Sequence, residues 1–313
     1  MNFNQNTKYD IVGIGATPLD SLMIVEKFPS GREVHPTLDF VCSSGGPVGT
    51  ALTTASKLGA KTIMIDKISD DIIGKSIISD YFNNHVDTSY IQIEKNKKSA
   101  SATILVEKST GNRAIYFTPS TTEELSDISP FIKVIKKSKI MHINGRHKQI
   151  LFDAIKIAKK YNVKISFDGG ANRYNPFNDF LAQNADICIL AKDFANKYTK
   201  ESDTIDALKI IINKGSSIAG ITLGDNGSYI MDNNYNLIYQ PAFKQENIID
   251  TTGCGDSYHG AFLYSLINHY SLIQTTQIAS AVASLNTQKL GGRGNLPNLA
   301  ELKSFLKNNY III

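Results

Sequence analysis

Short apolar runs separated by helical stripes set the tightest limit on how this chain can fold. The first run is Tyr9-Asp10-Ile11-Val12-Gly13-Ile14-Gly15, and others follow at 62–65, 140–143, 164–167, 186–190 and 218–223. Between them, apolar residues recur every three or four positions. Val48, Ala51, Leu52 and Ala55 follow Pro47; Ile150, Ala154, Ile157 and Ala158 make a second stripe, and Ile278, Ala281, Val282 and Leu285 a late one. Pro47 suits a first helical turn and Gly59 a helix end. Wholly apolar strands alternating with helices predict a parallel sheet covered on both faces. Two stretches, 20–42 and 88–118, break the rhythm. They alternate apolar and polar residues without a helical period, and predict a small inserted sheet at the ligand-binding edge of the large one.

A chain of 313 residues can hold one large α/β domain. Its 42% hydrophobic and 20% charged residues are those of a globular protein. The net charge of +4 is small, and the densest basic run, Lys95, Lys97 and Lys98, reads as a solvated loop, so no nucleic-acid partner is expected. No apolar run reaches the ~18 residues of a membrane span, and residues 1–10 are polar, so neither membrane nor secretion is expected. Cys42, Cys188 and Cys254 lack metal spacing and leave an odd thiol, which suits a reducing cytoplasm.

The chemistry concentrates in Asp250-Thr251-Thr252-Gly253-Cys254-Gly255-Asp256-Ser257-Tyr258-His259-Gly260-Ala261-Phe262. Glycines bring backbone N–H groups close to a ligand, and a helix starting there adds its unpaired N–H groups and positive dipole end, which together bind anions. A carboxylate beside such a cradle is unfavourable unless a base is needed. The simplest need is to take the proton from a hydroxyl attacking a phosphoryl group, which gives Asp256 that role. A plain loop-to-helix turn with a first-turn Asp is the bland alternative. The earlier glycine pair, Gly13 and Gly15, fails as a dinucleotide fingerprint, because Pro18 takes the third glycine position and no helix follows.

The whole string resembles the D-T-T-G-A-G-D-x-F-x-G-A-F signature of the ribokinase-like (PfkB) carbohydrate kinases, with Cys254 for Ala and Tyr258 for Phe. The resemblance runs over essentially the whole chain. It implies a three-layer α/β/α sandwich with a mainly parallel sheet and a small β-sheet lid. It also implies an ATP-dependent kinase transferring the γ-phosphoryl group to a primary hydroxyl of a sugar. Asp20 then binds sugar hydroxyls, since a carboxylate accepts two such bonds. Ser43-Ser44-Gly45-Gly46-Pro47-Val48-Gly49-Thr50-Ala51 resembles the family's G-G-x-x-x-N-x-A stretch against the sugar, with Thr50 in place of Asn. Gly253, Cys254 and Gly255 supply N–H groups to the transferring group. Thr222, Gly224, Gly227 and Thr252 fall at the nucleotide's phosphates and ribose, and Asn286 and Gly292 at its adenine end. Asp250 and Asn295 stand nearest a monovalent cation site, which would take K⁺.

Two departures matter. The family's N-x-x-E, which orders Mg²⁺, aligns with Ala191 and Phe194, leaving Lys192, Asp193 or the ATP phosphates to compensate. The chain is also similar to the sulfofructose kinase branch through Gly45-Gly46-Pro47, Pro241-Ala242-Phe243-Lys244 and Gly291-Gly292-Arg293. In that branch two basic residues hold a sulfonate, and Arg32 and Arg146 take equivalent places, while the branch's lid asparagine is Tyr116. Guanidinium groups fork onto tetrahedral anions, so an anionic sugar is expected. Dimerisation through the lid is a further expectation from the resemblance. The alternatives are a nucleoside or other small-alcohol kinase of the same fold, marked by a stacking aromatic in the cleft, and a sugar-sensing pseudokinase.

Overall fold

The computed structural model describes residues 3, 7–32, 34–110 and 112–313. In chain order, the first strands and helices are β1 (Tyr9–Ile14), β2 (Leu19–Val25), β3 (Asp39–Ser44), α1 (Pro47–Lys57), β4 (Thr62–Ser69), α2 (Ile72–Asn83), β5 (Asp87–Glu94), β6 (Ser101–Glu107) and β7 (Arg113–Thr118). There follow α3 (Ile132–Lys136), β8 (Ser138–Ile143), α4 (Lys148–Lys160), β9 (Lys164–Gly169), α5 (Pro176–Gln183), β10 (Ile187–Ala191), α6 (Lys192–Thr199), α7 (Thr204–Asn213) and β11 (Ile218–Thr222). The chain ends with β12 (Ser228–Asp232), β13 (Leu237–Gln240), α8 (Cys254–Ile267), α9 (Leu272–Asn286) and α10 (Leu299–Asn308).

The large sheet runs β13-β12-β11-β10-β9-β8-β1-β4-β5, and a small sheet runs β3-β2-β6-β7. From β5 to β11 every pairing is parallel, and β12 and β13 add an antiparallel edge. The apolar strands fill two cores, one per face. One packs α3 to α7 against Val12, Ile14, Ile143, Phe167 and Leu190; the other packs α1, α2, α8, α9 and α10 against Ile11, Met64, Ile140 and Ile189. A third, smaller cluster of Leu22, Ala102, Ile104, Val106 and Leu290 holds the small sheet to the loop before α10. The expected three-layer fold with a second small sheet is what forms.

The boundaries of the small sheet differ from the expectation in one place. β5, inside the 88–118 stretch, pairs in parallel with β4 and is the edge of the large sheet. As an edge strand it has one solvated face, so it shows the same alternation as a lid strand. Of that stretch only β6 and β7, from Ser101 on, join the lid, which also takes in β2 from Leu19 and β3 as far as Ser44.

Candidate active site

β1 has β4 on one side and β8 on the other, and the strand order runs outward from there in both directions. Ligands in open α/β sheets bind where the order reverses, outside the carboxyl ends of the strands. Ala16, Thr17 and Pro18 after β1 and Asn144, Arg146 and His147 after β8 do line a cavity there of about 550 Å³. Ala102, Ile104, Ile115 and Phe117 of the lid roof it, and Thr252, Gly253 and Asp256 form its floor. A second groove, about 970 Å³, lies beyond that floor and is lined by Thr222, Gly224, Gly227, Thr251, Cys254 and Gly255. Neighbouring residues at the start of α8 therefore face two spaces, the geometry needed to pass a group from one ligand to another.

Gly253 caps α8 with φ of 71°, and a Cβ there would run into the backbone of Gly292. The two glycine loops press together for that reason. Asn286, which is fully buried, clamps them with its amide: Nδ2 donates to Gly292 O at 2.9 Å and to Thr252 O at 3.5 Å. It serves as a staple behind the cradle, and Gly292 lines the cavity on the Asp256 side. Asp250 accepts from the Thr252 N–H (2.8 Å), the Thr252 hydroxyl (2.7 Å) and the Gly291 N–H (3.0 Å). Asn295 donates to Leu285 O at 3.0 Å. The Asp250 carboxylate is thus engaged by protein donors, whereas Asn295 uses its amide N–H groups and not the oxygen that a cation would take. Gly255 is the opposite of Gly253, because a Cβ there would meet nothing within 4 Å.

Among the described residues, neither Asp256 nor Asp20 hydrogen-bonds to a protein group through its carboxylate. Burial pushes Asp256 up to about 7, with help from the Asp168 charge; Arg173 and Arg293 oppose, and Asp20 adds to the rise. Burial pushes Asp20 to about 6, with Arg293 opposing. Asp20 lies against Gly45, where any Cβ would overlap its carboxylate, and Gly46 lines the same cavity. Thr50 is buried in the first turn of α1, and its Oγ1 accepts from Arg293 Nε at 3.2 Å, leaving its own hydrogen to donate. Arg146 lines the cavity with its Nη1 3.2 Å from Glu124, while its Nε is buried without a partner. Asn144 Oδ1 is likewise a buried acceptor without a partner. Arg32 is not brought to the cavity; it stands exposed in the β2–β3 loop.

Several site residues lay outside the sequence expectations. Arg113, the first residue of β7, reaches from the lid to the cradle: Nη1 donates to the Thr252 hydroxyl at 2.8 Å and Nη2 to the Thr251 hydroxyl. Arg293 binds Asp80 at 2.7 Å and Gly45 O at 3.0 Å, tying the tail loop to the loop before α1. Lys67 and Arg173 line the cavity. Asp66 and His147 are buried beside it, and His147 Nδ1 accepts from the Leu125 N–H, leaving Nε2–H for Asp66 at 3.0 Å. Two of these had a sequence signal: Arg293 in the Gly291-Gly292-Arg293 string, though not with this role, and Arg173, which follows the glycine pair Gly169-Gly170 at the end of β9.

Cys254 sits in the cradle, yet burial and the Asp250 and Asp256 charges push its thiol up to about 12. The thiol should therefore stay protonated and slow to react. Expected outcome: at pH 8 iodoacetamide labels exposed Cys42 and leaves Cys254 largely unmodified in the native protein, as peptide mass spectrometry reports. Rapid labelling of Cys254 would contradict the burial that sets its thiol.

The end of β10 offers no metal cage. Ala191 lacks a side-chain oxygen, Phe194 is fully buried, Lys192 Nζ bonds Ser202 O at 2.6 Å, and Asp193 accepts from the Asn172 N–H at 2.7 Å. Among the described residues, no group of three His, Cys, Asp or Glu side chains is placed to hold a metal. Such a site fits a cation that arrives on nucleotide phosphates with its waters, since Mg²⁺ keeps several waters and few protein ligands.

The pfkB family carbohydrate kinase model matches residues 8–299, so the chain belongs to that family. Membership makes it an ATP-dependent carbohydrate kinase, a phosphotransferase of sugar hydroxyls. Among curated relatives, a 5-dehydro-2-deoxygluconokinase from Bacillus licheniformis is 26% identical over 97% of this chain and 98% of its own. A ribokinase from Dictyostelium discoideum is 25% identical over 94% of this chain and 99% of its own. Among solved structures, Arabidopsis thaliana ribokinase complexed with ribose and ATP superposes with a TM-score of 0.82 at 20% identity, covering 96% and 99% of the two chains. An E. coli ribokinase II candidate with ATP and Mg²⁺ gives 0.84 at 18%, covering 96% and 99%. Among the described residues, no helix is long and apolar enough to cross a membrane.

Proposed function

We propose that this kinase transfers the γ-phosphoryl group of Mg·ATP to a primary hydroxyl of an anionic sugar. The observation that carries the reading is a pair of partnerless carboxylates, Asp256 and Asp20, in one cavity with a partnerless guanidinium nitrogen of Arg146. The two carboxylates are half-buried, open to the cavity and unpaired by the protein, so a ligand's hydroxyl groups can reach them, and the buried Arg146 Nε lacks a partner. Asp20 and Asn144 accept sugar hydroxyls, Thr50 donates one bond, and Arg146, aided by Arg173 and Lys67, takes the anion. Asp256 accepts the proton as the hydroxyl oxygen forms its bond to phosphorus and the bond to ADP breaks. N–H groups of Gly253, Cys254 and Gly255 at the start of α8 stabilise the charge in transit, and Arg113 joins them from the lid. Magnesium enters with ATP as part of that substrate. Lid closure excludes water.

A sulfonate, a phosphate or a carboxylate would each suit the guanidinium fork, so sulfofructose, a sugar phosphate and a sugar acid are the candidates. Exposed Leu38, Phe40 and Tyr116 of the lid support association of two copies there, and three free cysteines suit a reducing cytoplasm. Phe117 gives the nucleoside reading the cleft aromatic it requires, but the cationic wall beside it favours the anionic sugar. A ³¹P NMR time course tests transfer itself: a phosphate ester must accumulate with ADP, and inorganic phosphate alone would overturn the reading. Arg146→Ala should raise KM for an anionic sugar about ten- to a hundredfold with kcat little changed, the cost of one charge-assisted contact. An unchanged KM would remove Arg146 from the substrate.

A further inference from the structure

One turn beyond Asp256, α8 carries a second ionisable residue that the transfer chemistry does not use. His259 is 4% exposed, and its Nε2 lies 3.4 Å from Oδ1 of Asp168, itself 3% exposed on β9. β8 runs alongside, with His142 in register with Ser166. His142 Nδ1 meets the Ser166 hydroxyl at 3.0 Å, and its ring centroid is 5.5 Å from that of His259. Burial disfavours the charged form of both rings, taking His142 down to about 3 and lowering His259 despite the Asp168 charge. Asp168 Oδ2, His259 Nδ1 and His142 Nε2 are buried with no partner.

Such a cluster is costly. Apolar side chains of similar volume would fill the space without orphaned polar atoms, and removing the charge would spare its desolvation. A role other than packing accounts for it, and its place one turn along α8 from Asp256 indicates which one. We propose that Asp168, braced by His259, is a positioning residue whose buried charge sets how readily Asp256 takes up the hydroxyl proton. The proposal rests on the reading of Asp256 as the base.

The electrostatics run in one direction. A fixed anion at Asp168 penalises a second anion at Asp256, so Asp256 becomes a stronger proton acceptor. Asp20, from β2, pushes the same way. Arg173, from the loop after β9, and Arg293, from the tail loop, pull against it. Cys254 on the same turn stays a neutral thiol, and Asp250 and Arg113 lie 3.5 Å apart as an ion pair at the cradle. A neutral His259 braces Asp168 without cancelling its charge, and neutral His142 closes the cluster from β8.

The test is the pH profile of kcat/KM for the full-length enzyme and three variants, each checked for folding by its melting curve. Asp168→Asn should move the acid limb about one pH unit lower, because the penalty on the Asp256 anion is gone. His259→Gln, one neutral group for another, should leave the limb within about 0.3 unit. Asp256→Asn separates the two readings. Near-wild-type activity in that variant sinks the base itself, whereas an unmoved limb in folded Asp168→Asn, however low its kcat, sinks only the positioning role. Should Asp168→Asn not fold, ¹⁵N NMR of the wild type decides, with His259 assigned through His259→Gln. A ring that stays neutral from pH 6 to 8 supports the proposal, and one that protonates in that range cancels Asp168 and overturns it.

Discussion

Asp256→Asn is expected to lower kcat at least ~10²-fold, the low end for loss of a general base, with ATP affinity near wild type. The carboxylate makes no hydrogen bond to the protein among the described residues, so little of the structure depends on it. Its position raises its proton affinity to about 7, above that of an unfolded chain's aspartate. A folded state that binds the proton more tightly loses stability as pH climbs from the ordinary carboxylate range through 7. At pH 8 the Asn variant should therefore melt no lower than wild type, because it no longer confines that anion. Activity of the wild type should rise with pH through about 7, as the base sheds its proton, and the variant should lack that limb. Kinetics against pH and a melting curve check all three statements together. A variant that is both inactive and markedly less stable would mean Asp256 is structural.

The second large effect is expected at Gly255→Val. A Cβ at this position meets nothing within 4 Å, and the backbone is ordinary helix, so the fold should tolerate a side chain here. The space it enters is the groove side of the cradle, where the proposal puts the phosphates. Expected result: kcat/KM for ATP falls about 10²-fold or more, a loss of the size seen when a charge-stabilising site is blocked. The melting temperature should stay within a few degrees. The contrast with Gly253 is instructive, since there the positive φ and the Gly292 backbone forbid any side chain on structural grounds. Isothermal titration with ATP separates the two cases, and normal ATP binding by folded Gly255→Val would relocate the phosphates.

Local patterning was enough for most of the architecture. The apolar runs became β1, β4, β8, β9, β10 and β11, and the stripes became α1, α4 and α9, because burial on both faces or on one helical face writes itself into the residue order. β5 was misplaced since edge strands of either sheet share one alternation. The glycine string around Asp256 was legible because its backbone requirements fall within a few consecutive residues. The cations were not. Arg113, Arg173 and Arg293 come from a lid strand, a strand-end loop and the tail, and only the crossovers bring them to one place. Asn286 looked like a ligand residue and is a buried staple, because an Asn near a binding loop reads the same whichever way its amide turns. Arg32 shows the reverse error. Its surroundings in sequence suited an anion contact, yet it stands exposed in a loop that no packing pulls toward the cavity.

The measurement that tests the account most directly is ADP release from Mg·ATP across a panel of sugars, with Asp256→Asn as the background. The panel includes fructose, ribose, a nucleoside, sulfofructose, fructose 6-phosphate, fructose 1-phosphate and 2-keto-3-deoxygluconate. Turnover should depend on the sugar, run fastest with an anionic member and stay close to background in the variant. ATP binding without turnover above that background, for every sugar tried, would contradict the proposed function.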